Sequence, residues 1–93
     1  DILQMQGNQV FISGGKHQGL KVGDLLQVME QGTAVKSRQK GFTINLPASK
    51  AATIRVISLF GDSENNEGAV AEILQGKIDV NKLSELYVEE TKP

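Results

Sequence analysis

The chain has 93 residues, of which 39% are apolar and 23% charged, and a formal net charge of −1. A chain of this length buries roughly 60–65% of its extended surface, enough for one modest core and too little for a two-lobed catalytic cleft. It has no cysteine, which excludes disulfides, thiolate nucleophiles, thiolate zinc sites and cysteine-ligated iron–sulfur clusters. No window approaches the roughly 18 consecutive apolar residues of a membrane-spanning helix. Residues 1–93 read as a single domain, and the start at Asp1 rather than Met is expected to mark either a processed product or an excised domain of a longer protein.

Charge is uneven along the chain. Residues 1–46 carry five Lys or Arg against three acids, and residues 47–93 carry five against eight. Neither half has the density of a polyanion-binding surface. The one basic cluster, Lys36, Arg38 and Lys40, alternates in a way that puts it on one side of a strand, as on a solvated face. The four aromatics, Phe11, Phe42, Phe60 and Tyr87, are too few for a base-stacking platform, so nucleic acid is not expected as a partner.

In chain order, Asn8 to Ser13 is β-branched and aromatic and reads as a strand closed by Gly14-Gly15. Lys16 to Asp24 has glycines at 19 and 23, which suggests a tight double turn using positive φ and pinning Leu20 and Val22 against the core. Leu25 to Glu30 is a second strand, with Leu26 and Val28 on one face and Leu25, Gln27 and Met29 on the other. Gln31-Gly32-Thr33 is a turn, and Ala34 to Gln39 a charged strand suited to an edge. Phe42, Ile44 and Leu46 alternate before Pro47 stops the run, which fits a strand or an extended loop.

Ala52 to Phe60 is the clearest strand, with Ile54 and Val56 on one face and Arg55, Ile57 and Leu59 on the other. Gly61 to Gly68 is a polar loop. Gly68 to Leu74 fits helix or strand; Gly76 closes it after about seven residues, too short for a stable helix, which favours a strand with Ala69, Ala71 and Ile73 facing one way. Asp79 is placed to cap a short helical turn over 80–86, and Leu86 to Glu90 alternates as a terminal strand. The expected fold is all-β: a small barrel or sandwich of five to seven short, mostly antiparallel strands.

No catalytic set, cofactor site or metal site is expected. His17 is the only histidine and has no second one to share a metal, so it reads as an exposed turn residue. His17 and Asp24 with Ser13, Ser37 or Ser58 make a nominal Ser-His-Asp set, but no nucleophile-elbow spacing accompanies it. From Gly14 the phosphate-loop spacing reaches Gly19, yet Leu20 stands where Lys is needed and Val22 where Ser or Thr holds magnesium. Asp62 to Gly68 spaces oxygen ligands like a calcium loop, with its glycine one place late and Ile73 in place of the closing acid.

The combination of Val10-Phe11-Ile12, Gly14, Gly19-Leu20-Lys21-Val22-Gly23-Asp24, and then Leu26 and Val28 resembles the C-terminal domain of flagellar assembly protein T. It is also similar to C-terminal extensions of lipoproteins of the curli assembly/transport type. The resemblance spans about residues 8–90, with its sharp part at Gly19 to Asp24. Near the end it departs, since Gly76-Lys77-Ile78-Asp79 has Ile78 where a second glycine would stand. It implies a non-enzymatic, periplasmic or outer-membrane-associated module that docks on protein partners, itself included, in a flagellar ring or outer-membrane secretion structure. It carries over Asp24 and the glycines only as fold-forming positions. The alternative from a different class is a ligand-binding barrel in which residues 14–19 and 61–68 hold a glycan, peptide or nucleic acid.

Overall fold

The computed structural model describes residues 2–36, 41–63 and 65–91. Six strands form one antiparallel sheet: β1 (Ile2–Gln6), β2 (Gln9–Ser13), β3 (Leu25–Glu30), β6 (Ser49–Phe60), β7 (Gly68–Gly76) and β8 (Leu86–Glu90). Their spatial order is β1-β2-β7-β6-β3-β8. The sheet curls into a half-barrel, so that β1 at one end approaches β8 and the 3-10 segment before it, η2 (Val80–Glu85). A short 3-10 turn, η1 (Lys16–Gln18), follows β2. Two further strands, β4 (Ala34–Lys36) and β5 (Thr43–Asn45), pair with each other in a separate ribbon. The all-β, small-barrel expectation is met.

The core is the concave side of the curl. Val10 and Ile12 of β2, Leu26 and Val28 of β3, Ala52, Ile54 and Val56 of β6 and Ala69 and Ala71 of β7 are all buried, each set on alternate residues as a pleated strand requires. The strand pairings of this sheet shift register in four places, and two of these shifts bear on which side chains reach the core. In β1 the register with β2 shifts between Ile2 and Gln4, so Ile2 and Met5 both reach the core and Leu3 is left exposed. In β6 the register shifts between Val56 and Ser58, and Leu59 packs on the core instead of facing outward with Arg55. Simple alternation put Leu59 on the outer face; the extra residue at Ile57 reverses the parity.

Gly68 to Leu74 is strand, within the longer β7, because it lies between β2 and β6 and bonds to both. β1 is an element that the reading of the sequence did not include. It turns into β2 through Gly7 and Asn8, with Gly7 at φ 59°, a two-residue link of the kind that matches strand twist. Asp79 caps η2 as expected, its Oδ1 accepting from the Asn81 N–H at 2.9 Å. Ile78 is buried in the core, which accounts for an apolar residue at this turn.

Candidate functional site

The Lys21 to Asp24 turn is built as its residues suggest. Asp24 Oδ2 accepts from the Lys21 N–H at 2.9 Å, the Asp24 N–H donates back to the Lys21 carbonyl at 3.1 Å, and Gly23 sits at φ 96°. The turn is then fastened to β6, with the Gly23 N–H donating to the Val56 carbonyl at 2.8 Å and the Val56 N–H to the Asp24 carbonyl at 2.9 Å. Leu20 packs on the core, but Val22 does not: it is 64% exposed, because the turn directs it away from the sheet. Asp24 is therefore a scaffold residue whose carboxylate is already occupied.

The loops at 14–19 and 61–68 meet. The Gly14 N–H donates to the Glu67 carbonyl at 3.2 Å, and the Glu67 carboxylate accepts from the His17 backbone N–H at 2.8 Å. Its other oxygen lies 2.7 Å from His17 Nδ1. A carboxylate only accepts, so Nδ1 carries the proton in this contact. The Glu67 side chain is 3% exposed and that of His17 50% exposed. Hydrogen bonding from the His17 ring holds the Glu67 carboxyl below its usual value, with the His17 backbone N–H acting the same way and desolvation opposing both. Beside the pair is a cleft of ≈ 210 Å³ lined by Lys16, His17, Leu59, Phe60, Gly61 and Asp62.

His17 and the residues of the calcium-like loop take other partners in the structure. His17 bonds to Glu67, not to Asp24; Ser58 is exposed on β6; Ser37 lies outside the described residues. In the calcium-like loop, Asn66 Oδ1 accepts from the N–H groups of Asp62 and Ser63 and from Ser63 Oγ, while its amide donates to Asp62 Oδ1 at 2.8 Å. Glu67 turns inward to His17. Among the described residues no cluster of three His, Cys, Asp or Glu is placed to hold a metal ion.

The second candidate site lies on the β4–β5 ribbon. This ribbon continues the β3–β6 pair outward, joined at its root by the Leu46 N–H bond to the Thr33 carbonyl at 2.8 Å. Gly32 lets the two chains close there, since a Cβ on it would stand 1.8 Å from the Leu46 carbonyl oxygen. Every described residue from 31 to 50 is exposed. Val35 and Ile44 are register partners and share one face, while Phe42 and Leu46 stand just outside the two ends of β5. These four side chains are 46%, 47%, 52% and 47% exposed in that order. Ala34, Lys36, Thr43 and Asn45 take the opposite face. Of the basic cluster, Lys36 lies on this polar face and Arg38 and Lys40 lie outside the described residues.

The ribbon gives the molecule its length, 53 Å along the longest axis against 29 and 26 Å across. The radius of gyration is 15.4 Å, against about 12 Å for a compact domain of this size. The alternation of Phe42, Ile44 and Leu46 signals a strand, and nothing local to those residues reveals that the strand leaves the core. Searches against protein-family models, curated proteins and solved structures each return no match.

Proposed function

We propose that the chain is a non-enzymatic docking module of a bacterial cell-envelope assembly, of the flagellar-ring or outer-membrane secretion type, acting in the periplasm or at the outer membrane. The observation that carries the docking part is the protruding ribbon. Val35 and Ile44 on one face of a strand pair outside the core, with Phe42 and Leu46 at the ends of β5, are four large exposed apolar side chains within one short segment, surface that a partner would cover, and single exposed apolar residues scattered elsewhere would not make this argument. The envelope part rests on the Lys21 to Asp24 turn and its resemblance to the flagellar and curli-type C-terminal domains. The partner is a protein, with self-association one form of such docking.

The test uses the full-length protein in its source cell, carrying Phe42→Ser and Ile44→Ser together. The expected result is wild-type thermal stability with loss of co-fractionation with the envelope assembly. A folded double variant that stays in the assembly, or a wild type found only in the cytosol, overturns the reading.

A ligand-binding reading has one observation in its favour, the meeting of residues 14–19 and 61–68 around His17 and Glu67. It expects saturable NMR shifts clustered on His17 and Gly61 during titration with glycans or peptidoglycan fragments.

A further inference from the structure

β8 is the last strand of the sheet and pairs with β3 alone. Its register with β3 runs without a shift from Leu86 to Glu90, whereas β1, at the other end of the sheet, is interrupted by the shift between Ile2 and Gln4. The ladder fixes which backbone groups of β8 are already used. The Gln31 N–H donates to the Glu85 carbonyl at 2.9 Å and the Thr91 N–H to the Leu25 carbonyl at 3.5 Å, so the hydrogen-bonded pairs are Gln31 with Glu85, Met29 with Tyr87, Gln27 with Glu89 and Leu25 with Thr91. In the pairs between them Leu86, Val88 and Glu90 turn their N–H and C=O groups away from β3. The Leu86 N–H is taken by the Leu83 carbonyl, and the outward groups of Val88 and Glu90 have no partner among the described residues.

These groups open on a cleft of ≈ 170 Å³ between β8 and the end of β2, with Ile12, Leu20, Leu26 and Val88 as its apolar wall. Val88 and Glu90 are the register partners of Val28 and Leu26, two core residues, so both side chains stand on the concave face beside this cleft. The charge here is one-sided. Glu89 and Glu90 border the cleft, and Glu90 shares an adjoining one with Lys21 and Asp24, which sets three carboxylates against one cation. Glu89 and Glu90 are exposed, and neither is in an ion pair among the described residues. A straight strand edge with unused donors and acceptors is complemented by another strand, and this one selects a strand of positive charge.

We infer that β8 receives an extended, cationic segment of a partner protein as an added strand, bonded through its backbone to Val88 and Glu90. Every pairing in this sheet is antiparallel, and the added strand keeps that sense. Its residue opposite Glu90 then comes first and is Lys or Arg, and its residue opposite Val88 comes two places later and is apolar, entering the cleft. The recognised signature is therefore Lys or Arg, any residue, then an apolar residue. Backbone bonds supply the affinity, and the side chains on the concave face supply direction and selectivity. The site is separate from the ribbon, so this inference and the docking reading above stand or fall independently.

The experiment is an NMR titration of the 93-residue chain with the blocked peptide Thr-Thr-Lys-Thr-Val-Thr-Thr. Three further peptides serve as controls: one with Glu in place of Lys, one with Lys and Val exchanged, and one with an N-methylated Val. The expected result is saturable shifts at the Val88 and Glu90 amides, with slowed hydrogen exchange there and weaker binding at high salt. Each control is expected to bind about tenfold more weakly or worse; the N-methyl group, for one, removes the bond to the Val88 carbonyl. Glu90→Lys, a change at an exposed position, is expected to reverse the preference between the Lys and Glu peptides, and its melting curve checks that it is folded.

The absence of saturable shifts at Val88 and Glu90 overturns the inference. So does equal binding of the N-methylated peptide, which would mean that the strand edge is not what makes the contact, and equal binding of the Glu or exchanged peptide, which would remove the match to Glu90 and Val88. Shifts at the same two amides that grow with the concentration of the chain alone would put a second copy on the edge and overturn it as well. None of these outcomes touches the ribbon, whose role is decided by the Phe42→Ser/Ile44→Ser variant in cells.

Discussion

At the scale of single residues, Gly23 and Glu67 do different work. Gly23 holds φ 96° while donating to the Val56 carbonyl, so the turn needs a residue at ease in left-handed backbone. A Cβ there would meet nothing within 4 Å, which separates backbone strain from steric conflict. Gly23→Val is therefore expected to lower stability through strain alone, by about 1–2 kcal/mol or somewhat more for a β-branched residue, leaving the domain folded but easier to melt. Thermal denaturation reads it, and an unchanged midpoint would mean that the turn relaxes freely.

Glu67 is tied to pH. Its folded-state pKa lies below the ordinary 4.5, so the ionised form is the one the fold prefers. The stability it contributes is present above the unfolded value and lost as pH falls through the folded value. Glu67→Gln is expected to narrow the gap to wild type as pH drops from neutral into the acid range below about 4.5, measured as paired melting midpoints. A gap that is constant with pH would show that the carboxylate's charge is not what stabilises the contact.

At the scale of elements, the β4–β5 ribbon and β6 show how equal alternation serves opposite ends. Ile54 and Val56 alternate into the core, and Phe42, Ile44 and Leu46 alternate into solvent. The periodicity reveals a two-faced strand in both cases, but which face finds a partner depends on whether another strand or a core lies opposite. Because the ribbon's apolar face contributes nothing to the core, Phe42→Ser with Ile44→Ser is expected to leave the melting midpoint within a few degrees of wild type, which is the folding control for the docking test. The bulges at Leu3 and Ile57 belong to this scale as well. Each inserts one residue and switches the strand's parity, and the sequence around it carries no turn residue to announce it.

At the scale of the whole molecule, one small cluster of buried side chains holds six strands. Ile54 sits near its centre at 0% exposure, on a strand paired to both β3 and β7. Ile54→Ala is expected to cost about 2–5 kcal/mol, a large share of what a domain of this size has, while Val22→Ser, on an exposed turn, costs little. Calorimetry on the two variants tests this, with a midpoint loss on the order of 10 °C or more expected for Ile54→Ala alone. Comparable losses for both would mean that Val22 has a packing role not visible in its exposure.

Local chemistry was enough to determine the all-β class, the strands at Gln9, Leu25, Ala52 and Leu86, the positive-φ turn at Gly23 and the cap at Asp79. Each depends on side-chain alternation or on backbone preferences that act within a few residues. Tertiary structure alone decided the rest. It made Gly68 to Gly76 a strand by giving it two neighbours, brought His17 and Glu67 together across 50 residues of sequence, left the sheet unpaired between β1 and β8, and sent Phe42, Ile44 and Leu46 outward. These outcomes depend on which strand lies beside which, and that follows from packing the whole chain around one core.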